Sequence, residues 1–227
     1  MKKTTFVALL LLSTQCFADN LQACLINIEA EWSTVYYKMP KQQQIGAYQK
    51  LLEKTLKLST QYPNHSEPLF WQAVIKATSA DHQDAISALE SIHEARDLLL
   101  KALQIDPKAM NGSAYVTLGT LYYMVPKWPI AYGDNSKAKE MLQAALKINP
   151  NGIDANYYYG DFLLSNNELS EAEYYFEKAA TTPIRPDQSY ADYRLKQEAK
   201  IALIKTKKRK VADAKSTLSL IAITSIK

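Results

Sequence analysis

The sequence predicts an all-α chain built from repeated helical hairpins, and three observations lead there. Ala138, Leu142 and Ala145 recur as Ala172, Phe176 and Ala179, at a constant shift of 34 residues. The same trio stands 43 residues upstream as Ala95, Leu99 and Ala102. Prolines then punctuate the chain at Tyr62-Pro63-Asn64, Ile105-Asp106-Pro107 and Asn149-Pro150, where the residue before each proline is pushed out of the helical region. A fixed period of this length marks a stack of like supersecondary units.

The N-terminus reads as an address that precedes the fold. Lys2 and Lys3 form a positive n-region, and Phe6 to Leu12 is an almost unbroken apolar run. Cys16-Phe17-Ala18 places small residues at the cleavage-defining positions, which predicts a secretory signal peptide over residues 1–18, cut after Ala18. The run is shorter than the roughly 20 apolar residues that span a bilayer, so the mature chain is expected to be periplasmic with no membrane span. Loss of Lys2 and Lys3 leaves 25 basic against 23 acidic residues, from 27 and 23 in the whole chain. That balance carries no footprint for nucleic acid, which needs a strongly basic, clustered surface. Cys24 is the one cysteine past the expected cut, which excludes a disulfide framework and suits a buried, inert thiol.

From Asp19 onward a single helical domain, residues 19–227, is expected. Residues 20–38 and 41–61 form a first antiparallel pair. A helix over 68–78, with Ala73 in a small-residue slot, pairs with a long helix over about 82–105. The unit over 112–150 begins with Tyr115, Leu118-Gly119 and Tyr122 and ends at Asn149-Pro150. Gly119 lies 19 residues before Ala138, whereas Gly160 lies 12 before Ala172. The difference is an insertion in the turn, within Val125-Pro-Lys-Trp-Pro-Ile-Ala-Tyr-Gly-Asp134. The unit over 153–186 has helices at about 153–165 and 168–181, a turn at Asn166-Asn167, and Ser170 with Glu173 at capping-box spacing. After Pro186 a capping helix over about 187–206 covers the last unit, because terminal repeats need a polar outer face. The basic run Lys205 to Lys210 is expected to break its pattern as a solvated helix end, the alternative being a patch for an anionic ligand. The packing of Leu218 to Ile226 stays open.

Tyr115, Leu118-Gly119 and Tyr122, together with Tyr159-Gly160, Leu163, Ala172, Phe176 and Ala179, resemble the tetratricopeptide (TPR) pattern over residues 65–182. The resemblance implies a right-handed superhelix of about nine helices. The inserted string Val125 to Asp134 followed by Lys137-Ala138 is similar to exported bacterial TPR proteins, and more weakly to TatT-type accessory subunits of tripartite substrate transporters. The latter resemblance implies a periplasmic solute-binding protein as partner.

Chemistry is poorly represented. His65, His82 and His93 are the only histidines. If His82 and His93 share one helix, the rise of roughly 1.5 Å per residue sets them about 16 Å apart, too far for one metal or proton relay. No H-x-x-x-H, C-x-x-C, G-x-S-x-G or phosphate-binding glycine loop is present, and six glycines leave little material for one. No enzyme, metal or cofactor is expected.

Ligands of TPR-like proteins usually touch one face of the first helix of each repeat. Carried onto this sequence, those slots are Glu67, Phe70, Val74, Ala77 and Thr78; then Ser113, Val116, Thr120, Tyr123 and Met124; then Asp154, Tyr157, Asp161, Leu164 and Ser165. This face is apolar and aromatic with a few acids. It lacks the Lys, Arg and Asn with which chaperone-binding members grip a peptide carboxylate. Tyr123 and Tyr157 suit partner recognition, while Tyr159 occupies a core slot. In the insertion, Trp128 and Tyr132 are either platforms over the groove or plugs between hairpins. The expected function is a non-enzymatic periplasmic scaffold or adaptor for a protein or peptide. The alternative is a transporter accessory module that encloses a small apolar ligand among Phe70, Tyr123, Tyr157 and Trp128.

Overall fold

The computed structural model describes the backbone of residues 4–224, and side chains of residues 20–215 except 187. The charged n-region, the apolar run and the cut after Ala18 therefore lie outside the described side chains. Among the described residues the regular structure is helical: α1 (Thr4–Lys38), α2 (Lys41–Gln61), α3 (Glu67–Ser79), α4 (Ala85–Ile105), α5 (Ser113–Met124), α6 (Asn135–Ile148), α7 (Ile153–Ser165), α8 (Leu169–Thr181) and α9 (Ser189–Thr224), with 3-10 turns at Ala80–His82, Ala109–Gly112 and Pro186–Gln188. The all-α hairpin architecture is the predicted one. No described helix is long and apolar enough to cross a membrane.

The chain divides into two compact units, Met1–Pro107 and Lys108–Lys227. In the first, α1 packs on α2 and α3, α2 on α3, and α3 on α4. Its core gathers Val35, Tyr48, Leu51 and Ile75, with Trp32, Met39, Ala47 and Leu52 packed against them. The fully buried Ala73 lets α3 approach its neighbours closely.

In the second unit α5 pairs with α6 and α7 with α8, while α5 also meets α7, and α9 meets both α7 and α8. Helix α9 thus stands where the first helix of another repeat would stand. Small residues explain the pairing. A Cβ on Gly119 would come within 2.7 Å of Leu142 Cγ, and one on Gly160 within 3.0 Å of the Phe176 ring. At these points a large side chain of the second helix packs directly on the bare backbone of the first. Ala138, Leu142, Ala145, Ala172, Phe176 and Ala179 are all completely buried. The recurring trios are the second-helix halves of these contacts.

Four expectations need correction. Helix α4 starts at Ala85 and not near residue 82, because the Asp84 carboxylate accepts hydrogen bonds from the backbone N–H of Ile86 and Ser87, at 3.1 and 3.2 Å. That cap satisfies donors a continuing helix would otherwise need. His82 therefore sits on a 3-10 turn beside Tyr48, ring centroids 6.0 Å apart, and does not share a helix with His93. Ser170 and Glu173 form no capping box: Glu168 holds the N-cap position, Ser170 lies inside α8, and Glu173 accepts from Lys210 at 2.5 Å. The basic run does not end the last helix, which continues to Thr224. Lysine is a good helix former, and Lys207 and Lys210 both reach Glu173 of α8. Finally, Cys24 is half-buried, its thiol 3.7 Å from Asn20 Oδ1, and not enclosed.

Candidate functional site

The slots carried over from the sequence fall on α3, α5 and α7. Phe70 and Val74 belong to the first unit and are buried there, Phe70 edge-on to Trp71 at 5.4 Å between centroids. Thr78 accepts from Trp32 Nε1 at 3.3 Å and donates to the Val74 carbonyl at 2.8 Å. This stretch of α3 is committed to packing.

In the second unit the slots on α5 and α7 meet one another. Ser113 donates to Asp154 at 2.5 Å, and the Tyr123 hydroxyl donates to Asp161 at 2.7 Å. The Tyr123 ring also stands edge-on to Phe162, 5.7 Å away. Burial, and then the Asp161 charge, push the Tyr123 hydroxyl far above the ordinary phenol value, so it remains a donor. Val116 is buried, and Thr120 turns its hydroxyl back to the Val116 carbonyl at 2.8 Å. Tyr157 is half-buried, its ring 5.8 Å from Phe176 and 5.0 Å from Tyr158. Leu164 is half-buried, and Ser165 donates to the Phe162 carbonyl. Much of the presumed ligand face is a polar seam that joins adjacent repeats.

That seam can be weighed. Tyr123→Phe removes a hydrogen bond to a carboxylate, and such bonds contribute about 1.5–3 kcal/mol. Asp161 is only half-buried and can take up water, so the expected loss is near the lower end, about 1.5 kcal/mol by urea unfolding. An unchanged midpoint would mean the bond adds nothing in solution.

The surface left open is the insertion between α5 and α6. Its base is closed by backbone hydrogen bonds from Gly133 to Pro126 (3.0 Å) and from Asp134 to the Tyr122 carbonyl (2.8 Å). Its tip is turned by Ile130 to Lys127 at 3.1 Å. Asp134 then caps α6 by accepting from Ser136 and Lys137. Tyr132 packs edge-on against Tyr122 at 5.7 Å, and the Lys137 ammonium lies over the Tyr122 ring at 5.5 Å. Ala131 is buried. Trp128, in contrast, is 86% exposed and plugs no gap between hairpins. Met124 (65%) and Ile130 (64%) are exposed with it. Ile130 is a residue the repeat register could not single out, because it lies in the insertion where the period gives no slots.

His65 Nδ1 lies 3.6 Å from Glu67 Oε2, and both side chains are substantially exposed. The neighbouring Ser66 hydroxyl donates to the same carboxylate at 3.4 Å, which is not the serine–histidine contact a hydrolase needs. Among the described residues no group of three or more His, Cys, Asp or Glu is placed to hold a metal ion.

Residues 130–181 match the family described as tetratricopeptide repeat, a stretch that takes in the end of the insertion, α6, α7 and α8. That stretch of the chain has the tetratricopeptide-repeat pattern. Among solved structures, this chain is similar to a crystal structure of MamA, with 23% identity over 77% of this chain and 95% of that one, at a TM-score of 0.42. A second MamA structure is similar at 22% identity over 82% of this chain and 96% of that one, also at 0.42. Yeast Tom70 is similar at 19% identity over 70% of this chain and 33% of that one, at 0.43. No curated protein sequence matches the chain.

Proposed function

We propose that this TPR protein is a non-enzymatic scaffold or adaptor of the periplasm that holds a protein or peptide partner. The observation that supports this reading is the exposure of Trp128 and Ile130 on a loop tied at both ends, with exposed Met124 at the end of α5 where the loop begins. A tryptophan left in water on a pre-set backbone loses little freedom on binding, and such aromatic anchors dominate interface energetics. The groove slots contribute less than the repeat register implies, since Ser113, Asp154, Tyr123 and Asp161 already satisfy one another. A periplasmic solute-binding protein is one partner of the right class.

Photocrosslinking in cells from position 128, from position 157 and from the exposed position 177 separates these surfaces, with adducts identified by mass spectrometry. The scaffold reading expects one protein at 128, weaker recovery at 157 and none at 177. Trp128→Ala should then weaken the purified partner's affinity about thirtyfold and move the unfolding midpoint by no more than about 0.5 kcal/mol equivalent. The same adducts at all three positions, or full affinity without Trp128, would sink the proposal.

A further inference from the structure

The inner face of α9 is settled: Asp192, Leu195, Ala199 and Thr206 are buried where the helix packs on α7 and α8. Its outer face carries an unpartnered stripe. Ile201, Ile204, Lys208, Val211 and Lys215 step along the chain by three and four residues, which keeps them on one side of a helix. Ile201, Ile204 and Val211 are 52%, 55% and 54% exposed, and Tyr193 at 50% extends the stripe. A capping helix is expected to be polar on this side; this one sets three exposed branched apolar side chains among its lysines.

Charge says what covers it. Lys207 and Lys210 hold Glu173, whose carboxyl the Lys210 hydrogen bond keeps below its ordinary value, and Arg209 donates to Asn167 at 2.6 Å. Lys200, Lys205, Lys208 and Lys215 have no ion pair among the described residues, and Asp213 is the one acid between positions 200 and 215. The sequence then runs without charge from Ser216 to Ile226, with Leu218, Leu220, Ile221, Ile223 and Ile226 in it. An acidic protein helix would match the lysines, but this long uncharged, isoleucine-rich continuation calls for an apolar medium behind an anionic layer.

We infer that the outer face of α9 lies on an anionic phospholipid surface, with Ile201, Ile204 and Val211 at the acyl boundary and Lys200, Lys205, Lys208 and Lys215 reaching the phosphates. Long lysine side chains bury their stems beside apolar neighbours and keep the ammonium at the headgroups. Apolar area and lipid charge together set the strength of such interfacial helices. The attachment is peripheral, and it is independent of the scaffold reading.

Vesicle co-sedimentation tests it. The chain from Asp19 onward retains every described core side chain and removes the apolar run at Phe6 to Leu12. It is mixed with vesicles of phosphatidylcholine alone or with about one-third phosphatidylglycerol. The expected result is pelleting with the anionic vesicles only, reduced by high salt. Ile204→Glu with Val211→Glu should cut the bound fraction at least about tenfold, and Lys205→Glu with Lys208→Glu about tenfold as well. All four positions are exposed, so the circular dichroism of both variants should match the parent. No pelleting with anionic vesicles, equal pelleting with neutral ones, or parent-like binding by both variants would overturn the assignment. So would sedimentation velocity that finds a dimer without lipid and a monomer in the Ile204→Glu, Val211→Glu variant, because the stripe would then join two copies.

Discussion

Phe176→Ala is expected to destabilise the second unit by about 4 kcal/mol, in the range found when a fully enclosed aromatic ring is cut to a methyl. The ring is completely buried. It faces Gly160 so closely that a Cβ there would lie 3.0–3.3 Å from its Cδ1, Cε1 and Cγ atoms. Ala172 and Ala179, one turn to either side on α8, are also completely buried and carry only a methyl each, so they cannot fill the cavity. Urea unfolding should show a lower midpoint with an unchanged slope. The specific claim is the coupling. In the parent, Gly160→Ala presses a methyl into the ring; in the Phe176→Ala background the same change meets empty space and should stabilise by about 1 kcal/mol from helix propensity. Equal effects of Gly160→Ala in both backgrounds would mean that the ring and the glycine do not constrain each other. Tyr157 leans on the same ring at 5.8 Å, so this variant should also loosen that half-buried aromatic groove slot.

The hairpins were legible because their closest approaches leave a direct trace: a small residue must stand wherever a large side chain of the next helix packs on the backbone, and it recurs with the repeat. Gly119 against Leu142 and Gly160 against Phe176 are that trace. The seam was not legible. The repeat register assigns Ser113, Tyr123, Asp154 and Asp161 to one face, but only the superposition of α5 on α7 brings together residues 41 and 38 apart in sequence. A periodic pattern fixes which side of its own helix a residue occupies, not who stands opposite. The same distance problem hid the length of α9. Lys205 to Lys210 reads as a solvated end when taken alone, yet its counter-charge, Glu173, is supplied by another helix. Trp128 escaped for a different reason. Two prolines say that the insertion follows a set path, whereas the side its tryptophan faces depends on the closure of Gly133 onto Pro126 and Asp134 onto Tyr122.

Asp192→Ala should release α9 from the rest of its unit at a cost of about 3 kcal/mol, the lower end of what breaking a buried ion pair from one side costs. Asp192 is 1% exposed and accepts from the Arg185 backbone N–H at 2.8 Å, from Nε at 3.0 Å and from Nη2 at 2.6 Å. One carboxylate thus fixes the backbone and the side chain of the connector between α8 and α9. The Arg185 side chain is 28% exposed, so it can regain some water when its partner is lost, which is why the upper end is not expected. Lys196, donating to the Thr182 carbonyl at 2.5 Å, is a second tether across the same connector. Hydrogen exchange locates the effect: protection should fall first over residues 189–206, while α7 and α8 keep theirs, because the lost contacts are all at the start of α9. The double variant Arg185→Ala, Asp192→Ala should be less damaged than Asp192→Ala alone, since the orphaned guanidinium is removed with its partner. A double variant as unstable as the sum of the singles would show that the two groups act separately, and a uniform loss of protection would show that α9 unfolds only with the unit as a whole. Because the outer stripe of α9 needs a docked helix to present it, Asp192→Ala should also weaken vesicle binding without touching any residue that faces the lipid.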